Sequence, residues 1–138
     1  MKLFPLTLAL AALFFTLPAV QAQFVVNSLG DGNIGAGNSG TLRYVINQAN
    51  ASGSAATITF NISGGGTITL SSMLPILTNP NGISIDGANG GQGSIVIDGG
   101  SSSASTGDRI FFLGVNGADG TGVTATPSAA WLISNLTL

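Results

Sequence analysis

The chain has 138 residues, enough for one domain, and an unusually low content of charged side chains. It holds 21 glycines but only three basic and five acidic residues, and no glutamate, histidine or cysteine. Without histidine and cysteine, catalytic triads, histidine acid–base catalysis and the strongest zinc ligands are excluded. The lack of a basic surface argues against nucleic acid as a partner. Few charges together with many β-branched residues argue against disorder.

The N-terminus has the organisation of a secretory leader. Lys2 supplies a positive charge, a largely apolar run extends from Leu3 to Leu17, and short residues precede a cleavage point between Ala22 and Gln23. This run is shorter than the about 20 residues that cross a bilayer as a helix, and no later stretch is apolar enough to do so. The sequence therefore predicts export through the Sec pathway and a mature part without a transmembrane helix. The alternative interpretation is a retained membrane anchor.

The mature chain is acidic and has no disulfide to stabilise it outside the cell. Arg43 and Arg109 stand against five aspartates, and there is no cysteine. An exported chain of this size then needs another source of stability, and a regular core of stacked strands supplies one.

Residues 41–50 predict a short amphipathic helix. Thr41 or Ser39 offers a capping hydroxyl at its start. Four apolar residues recur with the spacing of one helical face, namely Leu42, Val45, Ile46 and Ala49. A helix of about ten residues is marginal alone, so this face must dock, and the end of a strand stack is the expected place. The polar residues face away, and Arg43 either stays outward or pairs with a cap carbonyl or with Asp31.

After the helix, apolar residues alternate with polar ones, which is the period of β-strands. One strand is predicted before the helix, over residues 24–27. The strands predicted after it cover residues 57–62, 67–70, 74–77, 83–87, 94–99, 109–114 and 131–138. Clusters of glycine, asparagine and serine separate them. The links vary from about three to fifteen residues, which favours a solenoid with loops of variable length over a series of hairpins.

Two of these strands resemble each other, because ISIDG at 83–87 recurs as IVIDGG at 95–100, twelve residues later. If they lie one coil apart, Ile85 and Ile97 point inward, and Asp86 and Asp98 stand in corners about 4.8 Å apart along the axis. Stacked carboxylates allow glycoside hydrolysis or calcium binding. The favoured interpretation is that each aspartate hydrogen-bonds its own turn, so no catalytic residue, metal site or cofactor is assigned.

The run from Gly40 to Asn50, followed by Thr57 to Phe60, resembles the N-terminal cap of exported bacterial right-handed parallel β-helix proteins with a pectin-lyase-like fold. Autotransporter passengers and other large surface proteins are among them. The final segment, 133–138, also resembles a rung of that family. The resemblance implies an all-β solenoid whose further rungs and anchor lie downstream, and it implies the cell surface, the outer membrane or the medium as the location.

On this basis the expected organisation is a signal peptide over 1–22, an N-terminal cap over 23–56 and the first rungs of a parallel β-helix over 57–138. The chain is expected to be truncated. The predicted function is that of a non-enzymatic structural module of an autotransporter passenger or adhesin-like protein, with any glycan ligand unknown. Two alternatives remain open: the front of a pectin-lyase-like enzyme with its active site beyond residue 138, and a carbohydrate-binding module using Trp131.

Overall fold

A computed structural model describes residues 20–100, 110–111 and 132–138. Within these ranges the strands are β1 (Ala22–Ser28), β2 (Gly35–Ala36), β3 (Ser39–Thr41), β4 (Ala56–Phe60), β5 (Gly66–Thr69), β6 (Ile83–Asp86), β7 (Ile95–Asp98) and β8 (Leu132–Ser134). The helix is α1 (Leu42–Asn50), and a 3-10 turn covers Asn89–Gly91. The apolar run of the predicted leader, most of the predicted strand 109–114, and Trp131 lie outside the described residues.

The larger sheet is mixed and has the strand order β2-β3-β1-β4-β6-β8. Its main part is parallel, since Ala56 of β4 lies opposite Ala22 of β1 on one side and opposite Ile83 of β6 on the other. β8 is parallel to β6, and β3 is parallel to β1, but β2 runs antiparallel to β3. The predicted domain boundaries at 22/23 and 56/57 therefore fall inside β1 and β4, which pair directly.

The smaller sheet contains β5 and β7, which are parallel with Gly66 opposite Ile95. Thr137 extends it through a parallel bridge to Val96. The chain thus alternates between the two sheets, from β4 to β5, then to β6 and β7. The parallel strands of both sheets follow each other in chain order, while closure of these turns into a β-helix solenoid stays a prediction.

The two Ile-Asp-Gly segments occupy different sheets, so they are not paired counterparts one coil apart and their aspartates do not stack in that way. Asp86 lies opposite Thr59 and Ser134 in the larger sheet, whereas Asp98 lies opposite Thr69 in the smaller one. The segments resemble each other because each strand buries alternate isoleucines and ends in the same kind of turn. That local requirement says nothing about which strand pairs with which.

The core lies between the two sheets and the helix. Along β4 the burial alternates, with Ile58 and Phe60 buried and Thr59 half-buried on the other face. Ile85 and Ile97 are both fully buried, as the strand period predicts. The predicted strand over 74–77 is absent from the described strands, although Leu74 and Leu77 are buried. Within this segment only Leu77 forms an isolated β-bridge, so most of its backbone groups need partners other than a strand.

The turns between the sheets stack closely. A Cβ atom on Gly65 would lie 2.4 Å from the carbonyl oxygen of Ser94 in the next turn, so only glycine fits. Asn89 adopts φ 52° and is almost fully buried. Its amide accepts a hydrogen bond from Ile62 N at 2.8 Å and donates to Ile62 O at 2.8 Å. The side chain of Asn89 therefore takes the place of a paired strand at this corner.

Candidate functional site: the helix and its contacts with residues 71–78

Helix α1 begins where its threonine cap predicts. Thr41 has extended backbone angles, φ −69° and ψ 158°, and its side-chain oxygen accepts from Tyr44 N at 3.4 Å. The same hydroxyl donates to Gly32 O and accepts from Ile34 N at 3.3 Å. Thr41 therefore fixes the start of the helix and ties it to the preceding glycine-rich loop.

The apolar face of α1 is buried at all four positions named from the sequence. Leu42, Val45, Ile46 and Ala49 are each at most 1% exposed. The helix packs on β1, β3 and β4. Full burial of each larger side chain contributes about 1.5–3 kcal/mol, so this docking, rather than helix propensity, holds the nine-residue helix in place.

The polar side of α1 also makes contacts, which the sequence did not predict for Asn50. Two of its side chains, Arg43 and Asn50, reach the backbone of residues 71–78, the segment between β5 and β6. Asp31 of the preceding loop reaches the same segment. We call Asp31, Arg43 and Asn50 the edge clamp. Arg43 and Asn50 are seven residues apart, or about two helical turns, so both project from one side of the helix.

Asp31 joins the loop to the start of this segment. Its Oδ2 accepts hydrogen bonds from Ser71 N at 2.8 Å and from Ser71 Oγ at 2.6 Å. Its Oδ1 accepts from Arg43 Nη2 at 2.7 Å. Of the alternatives left open for Arg43, it pairs with the Asp31 carboxylate and also with a carbonyl of the cap, Asp31 O. The side chain of Arg43 is 15% exposed and that of Asp31 is 10% exposed.

Arg43 places its remaining donors on main-chain carbonyls. Nη1 donates to Met73 O at 2.6 Å and Nη2 donates to Ser72 O at 2.8 Å. Nε donates to Asp31 O at 2.8 Å. Because a guanidinium is planar and always charged, one side chain can bind several carbonyls at fixed angles. Arg43 thus connects the helix, the loop and the segment after β5.

Asn50 binds the far end of the same segment, and Asn79, the residue that follows the segment, binds the end of the helix. Asn50 Nδ2 donates to Ile76 O at 2.7 Å, and its Oδ1 accepts from Thr78 N at 2.8 Å. In the opposite direction, the buried Asn79 donates to Ala49 O at 2.8 Å. The bonds from Asn50 supply partners for Ile76 O and Thr78 N, on either side of the β-bridge at Leu77. Among the described residues, every buried side-chain nitrogen and oxygen has a partner.

The electrostatics of the clamp favour an ionised carboxylate. Partial burial by itself raises the pKa of Asp31, but the hydrogen bonds from Ser71 and the adjacent Arg43 guanidinium outweigh it. The pKa of Asp31 therefore lies below its usual value of 3.8. The negative charge stays on Asp31 at neutral pH, where it strengthens the bonds to Ser71 and Arg43.

The two corner aspartates make the turn contacts that the sequence favours. Asp86 Oδ1 accepts from Ala88 N at 3.0 Å, and Asp98 Oδ1 accepts from Gly100 N at 2.9 Å. Asp86 also accepts from Asn135 Nδ2 at 2.7 Å, and these bonds lower its pKa. Because the two carboxylates belong to different sheets, the structure does not bring them together as a catalytic or calcium-binding pair.

The clamp differs chemically from a ligand site, because its donors and acceptors already bind one another and other groups of the chain, most of them backbone. Within residues 20–100, 110–111 and 132–138 no group of three or more acidic residues is arranged to hold a metal ion. In the same part of the chain, no helix is long and apolar enough to cross a membrane. Comparisons with protein-family models, curated proteins and solved structures gave no significant match.

Proposed function

We propose that residues 23–56 are the N-terminal cap of a right-handed parallel β-helix and that the chain is an exported, non-enzymatic structural module. In this proposal it belongs to a cell-surface or secreted protein of the autotransporter or adhesin type. The observation that carries the proposal is the edge clamp. Arg43 and Asn50 of α1, with Asp31, occupy the backbone groups along one side of residues 71–78.

The need for such a cap follows from the physics of stacked strands. A coil at the end of a stack has one row of N–H and C=O groups with no further coil to bind, and such an edge recruits other chains. The backbone N–H and C=O groups in the middle of a helix already bind one another. A helix therefore ends the stack if its side chains hydrogen-bond the free backbone groups of the edge. Repeat proteins use terminal caps for this reason.

The parallel strand order supports the rest of the proposal. β4 and β6 follow each other in one sheet, β5 and β7 in the other, and the helix packs beside β1 and β4, at the beginning of that order. A cap at this place protects the first coil and leaves later coils free to add in chain order. The module then acts as a scaffold whose shape comes from stacking.

The capping role can be tested through self-association. In the chain that begins at Gln23, Arg43→Met combined with Asn50→Ala removes clamp bonds and exposes the edge at 71–78. We expect light scattering to rise with protein concentration more steeply than for the parent. Asn47→Ala is the matched control, because Asn47 lies on the same helix but bonds only the exposed Asn33 side chain. Equal scattering for all three proteins would contradict the capping role.

The structural role and the export need separate tests. Fractionation of cells that express the whole chain should place it beyond the inner membrane, and protease treatment of intact cells should reach it if it is at the surface. The mature chain should release no reducing or unsaturated sugar from a panel of plant and bacterial polysaccharides. If the purified chain does release sugar, and a substitution in the chain abolishes that activity, the protein is an enzyme and the non-enzymatic role is wrong.

A further inference from the structure

The bond predicted for leader removal, between Ala22 and Gln23, lies inside a paired strand. β1 begins at Ala22, and its first residues are in register with β4, with Ala22 opposite Ala56 and Gln23 opposite Thr57. The strand that the leader joins is thus the one that links the cap to the first coil.

Groups on both sides of this bond are occupied in the folded chain. Ala22 N donates to Ala55 O at 2.8 Å, and Asn38 Nδ2 donates to Gln23 O at 3.0 Å. The side chain of Gln21 accepts from Thr57 Oγ1 at 3.0 Å. Ala22 is half-buried and packs against the core.

A leader peptidase needs these same groups free. Proteases cut chains that are extended and locally unfolded, because the backbone on each side of the bond must pair with the enzyme. The small side chain of Ala22 must also enter the enzyme's pocket, but in the fold it packs inward. Cleavage is hydrolysis, in which water adds across the Ala22–Gln23 peptide bond and leaves a carboxylate on Ala22 and an amino group on Gln23.

We propose that pairing of β1 with β4 closes the leader-processing bond, so that the leader is removed only before the cap folds. This inference rests on the export in the proposed function. Cap folding then acts as a checkpoint. A chain that folds before it meets the peptidase keeps its leader, and a chain processed first begins β1 at Gln23, whose contacts with Thr57 and Asn38 remain available.

The test compares the whole precursor with a peptide. The full 138-residue chain is refolded with its leader and incubated with purified leader peptidase in detergent, and a synthetic peptide of residues 10–30 is treated in parallel. Mass spectrometry reports the cleavage site and rate. We expect the peptide to be cut after Ala22 and the folded precursor to be cut at least about tenfold more slowly, in proportion to the fraction of open cap.

Slow cleavage of the precursor could come from the folded strand or from a sequence that the peptidase cuts poorly, and two variants distinguish these causes. Ile46→Asp unfolds the cap and should raise the cleavage rate toward that of the peptide, whereas Asn47→Asp, one residue away on the exposed side, should stay resistant. The second variant carries an insertion after Gln23: a flexible spacer of about ten residues, followed by a second copy of residues 21–23. The second copy completes β1, while the Ala22–Gln23 bond of the first copy lies outside the sheet. This bond should be cut at the peptide's rate without unfolding of the cap.

The outcomes are distinct for the inference and for the export on which it depends. If the folded precursor is cut as fast as the peptide, the inference that strand pairing protects the bond is wrong, while the predicted export is unaffected. Resistance of the spacer variant would also overturn the inference, because its site lies outside the sheet. If the peptide is not cut after Ala22, there is no leader bond to close, and the inference and the predicted export fail together.

Discussion

Replacing Arg43 with methionine removes the charge of the edge clamp while keeping an apolar side chain that fills much of the same volume. Four hydrogen bonds disappear, two to Asp31 and one each to Ser72 O and Met73 O. The carboxylate of Asp31 keeps its bonds to Ser71 but loses its cation. The variant therefore tests whether the contacts of Arg43 hold the cap in place.

The expected loss follows from the burial of the pair. Hydrogen bonds to charged groups contribute about 1.5–3 kcal/mol each, but the four share one side chain and are not additive. Both side chains are at least 85% buried, so solvent screening is limited, and removing one partner of a fully buried pair costs about 3–5 kcal/mol. We expect a loss of about 3 kcal/mol for Arg43→Met, or roughly 10–20 °C in Tm.

Thermal unfolding followed by circular dichroism measures this loss, with Asn47→Ala as the control expected to stay within about 0.5 kcal/mol of the parent. A double-mutant cycle with Asp31→Asn isolates the pair, and its coupling should exceed about 1 kcal/mol. If Arg43→Met melts within 2 °C (an order-of-magnitude threshold) of the control, the clamp bonds contribute nothing to stability and the reasoning from burial is refuted.

Three further predictions concern the same framework. Asn50→Ala leaves Ile76 O and Thr78 N without partners and should lower the free energy of unfolding by about 1–3 kcal/mol, measured by urea denaturation against Asn47→Ala. Because the folded pKa of Asp31 is depressed, its stabilisation is complete above its usual value of 3.8 and is lost as pH falls through the folded pKa. The urea midpoint should drop over that acidic range, and Asp31→Asn should flatten the drop; equal slopes for both proteins would contradict the assignment. Asn89→Ala should cost about 3–4 kcal/mol, because it unpairs the backbone of Ile62 and strains the positive φ, whereas a melting temperature equal to the parent's would show that this corner is not held by the amide.

The local structure of this chain could be derived from short-range patterns. The helix face at Leu42 and Ile46 and the alternation around Ile58 depend only on the periods of helix and strand. The Asp-Gly corners could be recognised because aspartate bonds a backbone N–H two residues further on. Each of these features is decided by neighbours in the chain, so one sequence suffices to find them.

The pairing of distant segments could not be derived in this way. ISIDG and IVIDGG look like consecutive rungs, yet they belong to two sheets, because similarity of two strands reports burial and not partners. The helical pattern places Asn50 on the polar face, so it looked solvent-facing. Its partners Ile76 and Thr78 lie 26 and 28 residues further along the chain, where a local pattern cannot identify them. The only signal for it in the sequence was its position seven residues after Arg43.

Helix α1, which Thr41 caps, shows this difference between local and long-range information. The sequence by itself determined its approximate extent and its buried face, because helix periodicity and capping are local, while the choice of Thr41 over Ser39 as the cap came from the structure. Only the tertiary structure decided that its polar side binds residues 71–78, because the contacting residues lie 26 to 30 positions further along the chain and meet the helix only in the folded protein. Side-chain bonds to a distant backbone depend on where the fold leaves groups unpaired, and the spacing of Arg43 and Asn50 gives only their shared side of the helix, not their partners.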